Sequence, residues 1–165
     1  MSKSRESVKA RGFFRLNILE DKNGKDVVVS DSGWMPNAIT NYGYETCIVG
    51  RVGSVAGGVF PTAMAIGTGT LVDVASSALP GELTDINSGS GVRIAVTPTA
   101  VSSKTLQFVG TLASGSITAT RAIQNIGLFA TTSVTAGTCI AGSTYTVSTL
   151  QTNQSVNCTY QIRFS

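Results

Sequence analysis

The last ten residues of the chain alternate strictly between apolar and polar side chains, and this pattern constrains the fold most. The apolar positions are Val156, Cys158, Tyr160, Ile162 and Phe164, and the polar positions are Asn157, Thr159, Gln161, Arg163 and Ser165. Successive side chains of a β-strand point to opposite faces of its sheet, so a period of two predicts a half-buried strand. Terminal segments are ordered when they are paired within a sheet. We therefore expect this strand to close the fold.

Other strand-like segments recur at intervals of roughly ten residues and are separated by glycine-containing turns. Residues 12–19 and 26–30 flank Asn23-Gly24, a dipeptide typical of a β-hairpin. A short helix is predicted to begin at Asn37, because asparagine commonly caps helices. These features predict one domain over residues 12–165, an antiparallel β-sandwich of jelly-roll type with one short helix. Further strands are predicted at 62–69, 92–96, 105–112, 117–123, 128–131, 145–150 and 155–164.

The net charge of +3 is concentrated at the start of the chain. Residues 1–15 hold five basic residues and one acidic residue, whereas residues 16–165 hold seven basic and eight acidic residues. We interpret residues 1–11 as a basic arm that contacts a neighbouring subunit, an acidic partner or nucleic acid, or is simply solvated. No aromatic residue precedes Phe13, so nucleic acid is the least favoured partner.

Charged residues form only 13% of the chain, about half the usual share. Weak repulsion between molecules favours association, so we expect a homo-oligomer, for instance a trimer, rather than a small monomeric β-domain. Trp34 lies at an element boundary, where it either plugs the end of the sandwich or anchors a partner. Residues 51–60 and 85–91 are predicted contact loops. The predicted inter-subunit contact residues are Lys3, Arg5, Lys9, Arg11 and Trp34.

Three cysteines at wide spacing form neither a disulfide framework nor a zinc site. Cys158 falls on the apolar face of the last strand, which favours a buried free thiol. A disulfide between Cys139 and Cys158 across a hairpin is the alternative, and geometry decides between the two. The polar start lacks a secretory signal, and no apolar run approaches the ~18 residues of a membrane span. We expect synthesis in a cytoplasm and no membrane partner.

The absence of histidine removes the commonest general base and metal ligand, and with it the standard Ser/His and Cys/His nucleophile systems. Glu82 and Asp85 are three residues apart, as in an acid–base pair, but we favour a polar turn because no aromatic residue flanks them. The glycine-rich segments 67–70 and 88–91 lack the lysine or third glycine of nucleotide-binding loops. We predict no catalytic, cofactor or metal site and no enzymatic activity.

Five short motifs follow one another in a fixed order. They are an aromatic residue before Asn-x-Ile-Thr-Asn-x-Gly, an apolar-Gly-Thr-Gly strand end, a Leu-x-x-Glu-Leu turn, an arginine opening a strand, and Ile-x-x-x-Gly-Leu-Phe. Here they lie at Trp34 with 37–43, and at 65–69, 79–83, 93 and 123–129. In combination they resemble a family of small tailed-bacteriophage virion proteins, described as tail-fibre-like or decoration-like.

One position departs from the pattern of that family. Asn125 stands two residues before Gly-Leu-Phe, where the resemblance implies an acidic residue. If that acid pairs with an arginine such as Arg93 or Arg121, its replacement by asparagine puts the buried pair in doubt.

The resemblance implies a structural component of a tailed-bacteriophage virion, made in the host bacterial cytoplasm. Its partners would be copies of itself and other virion proteins. The first version places it at the tail, collar or baseplate as a fibre-type or adaptor-type subunit. The alternative is a capsid decoration protein that stabilises the head. A glycan-binding module is a further alternative from a different class, because jelly rolls often serve as lectins.

Overall fold

The computed structural model describes residues 9–53, 57–70 and 72–165. Of the predicted contact residues, Lys3 and Arg5 lie outside this range, as do residues 54–56 of the first predicted contact loop. The described residues form ten strands: β1 Ala10–Asp21, β2 Asp26–Asp31, β3 Met35–Ile39, β4 Ala63–Gly67, β5 Ile94–Ala95, β6 Thr97–Ser102, β7 Thr105–Leu112, β8 Arg121–Phe129, β9 Cys139–Leu150 and β10 Gln154–Phe164.

All of these strands pair antiparallel in one sheet of order β5-β4-β8-β9-β3-β1-β10-β7-β6, with β2 paired to β1 beside β3. The two end strands, β5 and β6, are separated in the sequence by Val96 alone. The chain therefore passes directly from one edge of the sheet to the other, and β5 also contacts β7. The result is a mostly antiparallel β-structure with few helices, curved into a nearly closed, barrel-like sheet.

The inner face of this sheet holds the main hydrophobic core. β1 and β10 alternate buried and partly exposed residues along most of their length, and each contributes its apolar set. Tyr160 lies at the centre, with its ring 5.7 Å from Phe14 and 6.1 Å from Phe108. The period of two in the sequence therefore arises because one face of each strand is packed and the other is not.

The residues of β4 and of the second half of β8 do not alternate between buried and exposed, because both faces of the sheet are covered there. Met64, Ile66, Ile126 and Leu128 join the main core. On the opposite face, Ala65, Phe129 and Cys139 pack against Val72 and Leu79 in a second, smaller cluster. Strands buried on both faces appear in a sequence as continuous apolar runs, which carry no periodic signal.

The hairpin at Asn23-Gly24 and the closing strand are confirmed: both glycine and asparagine there have positive φ, and β10 lies between β1 and β7. The predicted helix start is wrong. Asn37 belongs to β3, which pairs with both β1 and β9. Helical structure begins later, at Gly43–Val49 (a π-helical segment) and Gly50–Val52, where the Gly43 N–H donates to the Thr40 hydroxyl at 3.0 Å.

Four other features also differ from prediction. The separate strands predicted at 117–123 and 128–131 are one strand, β8, and the exposed strand β6 was missed. Residues 85–91 contain a tight turn, in which Asn87 and Ser88 have positive φ and Ile86 is buried. Ala10 and Arg11, predicted as part of the arm, are the first residues of β1. For the strands, pairing between distant segments overrides the local pattern.

Candidate functional site: an outer sheet face with a basic end

Three neighbouring strands, β1, β10 and β7, present a broad face on the outside of the sheet. Antiparallel register places their outward side chains in cross-strand rows. We name this surface the outer face. Its four paired rows contain no acidic side chain, and Asp21 lies beyond them at the far end of β1. Its rows are Arg11–Arg163–Thr105, Phe13–Gln161–Gln107, Arg15–Thr159–Val109 and Asn17–Asn157–Thr111.

Much of the outer face is held by hydrogen bonds between its own side chains. Thr111 donates to the Asn157 Oδ1 at 2.8 Å, and Gln161 Nε2 donates to Gln107 Oε1 at 2.7 Å. Arg15 is neutralised by Asp31 on β2, at 2.6 Å, and this hydrogen bond holds the pKa of the Asp31 carboxyl below its ordinary value. The middle of the outer face is therefore polar but nearly uncharged.

Four cations lie at neighbouring backbone positions at one end of these strands, and we name them the basic end: Lys9, Arg11, Lys104 and Arg163. Backbone hydrogen bonds bring them together, from Lys9 N–H to Ser165 O at 2.9 Å and from Phe164 N–H to Lys104 O at 2.9 Å. Arg11 and Arg163 are direct cross-strand partners. Within residues 9–53, 57–70 and 72–165, no carboxylate lies within ion-pair distance of any of the four.

Arg163 is the most firmly placed member of the basic end. Its guanidinium carbon lies 4.2 Å from the centre of the Phe13 ring and 5.3 Å from that of Trp34. Its Nε donates to Gln161 Oε1 at 2.9 Å. Trp34 is 39% exposed, so the structure places it on the outside of the sheet next to the basic end. Which of its two predicted roles it has, end plug or partner anchor, stays a prediction.

The sequence-based contact set omitted Arg163 and Lys104. Both are more than ninety residues from the arm in the sequence, and only the strand register brings them beside Lys9 and Arg11. The one available signal was that Arg163 is the single charge on the polar face of the last strand. A depression of about 240 Å³ adjoins the basic end and is lined in part by Arg11, Phe13, Asn37 and Tyr44.

A second charged group lies on the other side of the molecule, inside the fold. Arg93 and Glu82 form a two-bonded ion pair, with Nε–Oε1 at 2.6 Å and Nη2–Oε2 at 3.0 Å. Their side chains are only 1% and 6% exposed. Arg93 also donates to the carbonyls of Thr131 and Ala136 and stacks on the Phe129 ring at 3.6 Å. Every part of this pair is satisfied, as a buried pair requires.

Most of the motifs behind the resemblance meet at this ion pair. Gly67 forms a β-bridge with Glu82, and Asn125 Nδ2 donates to the Pro80 carbonyl at 2.8 Å. Asparagine at position 125 does not leave Arg93 without an acidic partner, because Glu82 supplies the carboxylate that binds it. Many of the motif residues thus pack inside the fold, whereas Trp34 and Asn37 lie near the basic end.

Asp85 and Arg121 form a further pair, with Nη2–Oδ2 at 2.8 Å, and Thr118 donates to the same carboxylate. Burial raises the pKa of Asp85, but these hydrogen bonds outweigh it and leave the pKa below its ordinary value. Glu82 and Asp85 therefore each bind an arginine. This supports the polar-turn interpretation and leaves no carboxyl pair with a shared proton.

The alternative of a Cys139–Cys158 disulfide is wrong in this structure, where both are free thiols. Cys139 lies in the small cluster with Phe129, whereas Cys158 lies in the main core between Leu16 and Gly110. They therefore sit in different clusters on separate strands. Burial raises the pKa of each thiol to about 12, so both stay protonated at neutral pH.

The two predicted contact loops carry other features. Phe60 is 40% exposed and helps line an apolar depression of about 140 Å³ with Cys47, Leu106 and Phe164. Asn87 and Ser88 both have positive φ in the second loop. Whether either loop contacts a partner stays a prediction.

In the described part of the chain, no group of three or more Asp, Glu or Cys side chains is arranged to hold a metal ion. None of the helices described there has the length and apolarity needed to cross a membrane. Comparison with known proteins gives no family model, curated protein or solved structure that matches this chain.

Proposed function

We propose that this protein is a structural subunit of a tailed-bacteriophage virion that assembles through the outer face and its basic end. The observation that carries the proposal is the outer face itself: three paired strands whose outward side chains are mostly polar, nearly uncharged in the middle and cationic at one end. Such a face suits burial against protein, because few charges must be desolvated at its centre.

The proposal places the subunit at the tail, collar or baseplate, as a fibre-type or adaptor-type piece made in the host bacterium. It includes the finer description of the fold as a jelly-roll sandwich, whose halves would meet at β3, the strand paired to both β1 and β9. Capsid decoration is the other version. Both versions use the same face and differ in the position of the protein on the particle.

A deletion tests the contribution of the arm. Because β1 begins at Ala10, removal of residues 1–8 deletes no residue of the ten described strands, whereas a deletion beyond Lys9 would cut into β1. We expect the deletion variant to retain its circular dichroism spectrum and to be depleted at least about tenfold from purified particles, a loss of about 1.4 kcal/mol in binding. Quantitative mass spectrometry of particles from cells that express tagged protein measures this depletion.

The matched control replaces Lys22 and Lys25, two exposed cations in the β1–β2 turn, with glutamine, and its incorporation should be unchanged. The proposal fails if the full-length protein is absent from particles and monomeric at high concentration. Particle reconstruction then decides between the tail and head positions.

A further inference from the structure

We propose that Arg163 and Arg11 form a binding site for carboxylates of an acidic protein segment. The inference deepens the proposed function, since it names the chemistry of the partner at the basic end. It rests on that function only for the place where the partner occurs, because binding is measurable on the isolated protein.

The first step is that Arg163 is positioned before any partner arrives. Its guanidinium stacks on Phe13 and Trp34, and its Nε is bound to Gln161, which is itself bound to Gln107. Both Nη groups have no hydrogen-bond acceptor among the described residues. A planar guanidinium held in this way presents two parallel N–H donors, the geometry that a carboxylate accepts.

The second step is that the basic end is electrostatically unfavourable by itself. Arg11 and Arg163 face each other across β1 and β10, and like charges in directly opposed positions destabilise a sheet. Arg15, four residues further along β1, has its charge balanced within the fold, since it is paired with Asp31. At the basic end an anion from outside the described residues would relieve the repulsion.

The third step separates a carboxylate from a nucleic acid phosphate. Single-stranded nucleic acids bind along grooves of cations, with aromatic rings available for base stacking. Here the four cations are confined to one end of the strands, the paired rows beyond them are nearly uncharged, and Arg163 already covers one face of both nearby rings. The depression beside Arg11 leaves room for a side chain of the partner.

Trp34 gives a direct signal for the test, because it is the only tryptophan in the chain and it contacts Arg163. The probes are three octamers: a peptide of alternating Glu and Ser, a peptide of alternating Gln and Ser, and oligo-dT. We expect the acidic peptide to change the Trp34 emission saturably and to bind more tightly than either other probe. Added salt should weaken this binding.

Single substitutions test whether the acidic peptide binds at Arg163. Arg163→Gln should weaken binding of the acidic peptide at least about tenfold, and Arg163→Lys should also weaken it, because lysine keeps the charge but loses the planar pair of donors. Lys25→Gln, the same loss of charge at the far end of β1, should bind like the unchanged protein. Because Trp34→Phe has no tryptophan emission, its affinity for the acidic peptide is measured by calorimetry.

Four results would overturn the inference: no saturable binding of the acidic peptide, equal loss in Lys25→Gln and Arg163→Gln, equal binding of the Gln/Ser peptide, or tighter binding of oligo-dT. A protein that binds the acidic peptide but is absent from particles would sustain the site and refute the proposed function. A protein that is incorporated into particles but does not bind the acidic peptide would refute the site and sustain the proposed function.

Discussion

Arg93 shows at the scale of a single residue how this fold tolerates a charge in its interior. Four hydrogen bonds and one aromatic ring surround the guanidinium, and Glu82 supplies two of the acceptors. An ion pair buried this deeply adds little stability compared with an apolar pair of the same size. Removal of one partner, however, leaves an uncompensated buried charge, which is strongly destabilising. Arg93 and Glu82 are therefore expected to be sensitive to single substitutions.

Glu82→Gln should lower the free energy of unfolding by about 3–5 kcal/mol, because it removes the negative charge from a buried pair. Asp85→Asn is the matched control. Its partner Arg121 is 39% exposed, so the loss should stay within about 1 kcal/mol. Urea denaturation followed by circular dichroism measures both. Equal losses in the two variants would show that burial does not govern the Arg93 pair.

At the scale of elements, the two faces of the β1–β10 pair affect stability in opposite directions. The inner faces of both strands build the core around Tyr160. The outer faces place Arg11 opposite Arg163, which costs stability in the free protein. A cationic pair at that register is understandable if the two arginines serve to bind a partner.

Arg11→Gln should raise the free energy of unfolding of the isolated protein by about 0.2–1 kcal/mol, because it ends the cross-strand repulsion. Arg11→Lys keeps the charge and should change stability little. The gain should be present at about 0.01 M ionic strength and largely lost at about 1 M, where the Debye length is shorter than the distance between the groups. Paired denaturation curves at the two salt concentrations test this, and a gain independent of salt would argue against repulsion as the cause.

For the whole molecule, closure of the sheet depends on a close approach between β5 and β7. Gly110 on β7 faces Ile94 and Ala95, and a Cβ at that glycine would lie 2.8 Å from the Ala95 carbonyl oxygen. Any larger residue must push β5 away from β7. The nearly closed shape therefore depends on a glycine at this position.

Gly110→Ala should destabilise the protein by about 1–3 kcal/mol, the usual cost of overpacking a tight interior site. Ser114→Ala, in the exposed turn after β7, should stay within about 0.5 kcal/mol. Thermal unfolding of both variants provides the comparison. An unchanged Gly110→Ala protein would mean that the β5–β7 contact is not required for stability.

The segments that could be predicted from the sequence are those whose signal is local. One-sided packing produces the alternation of β1 and β10, and the Asn23-Gly24 turn requires positive φ, so both were predictable. The double burial of β8, the exposed strand β6 and the place of Asn37 within β3 follow from distant pairing, and no local pattern indicates them.

The same division holds at the candidate site. The basic arm and Trp34 were visible in the sequence. The neighbouring positions of Arg163, Lys104, Lys9 and Arg11 depend on strand register and backbone pairing, which bring together residues that lie far apart along the chain.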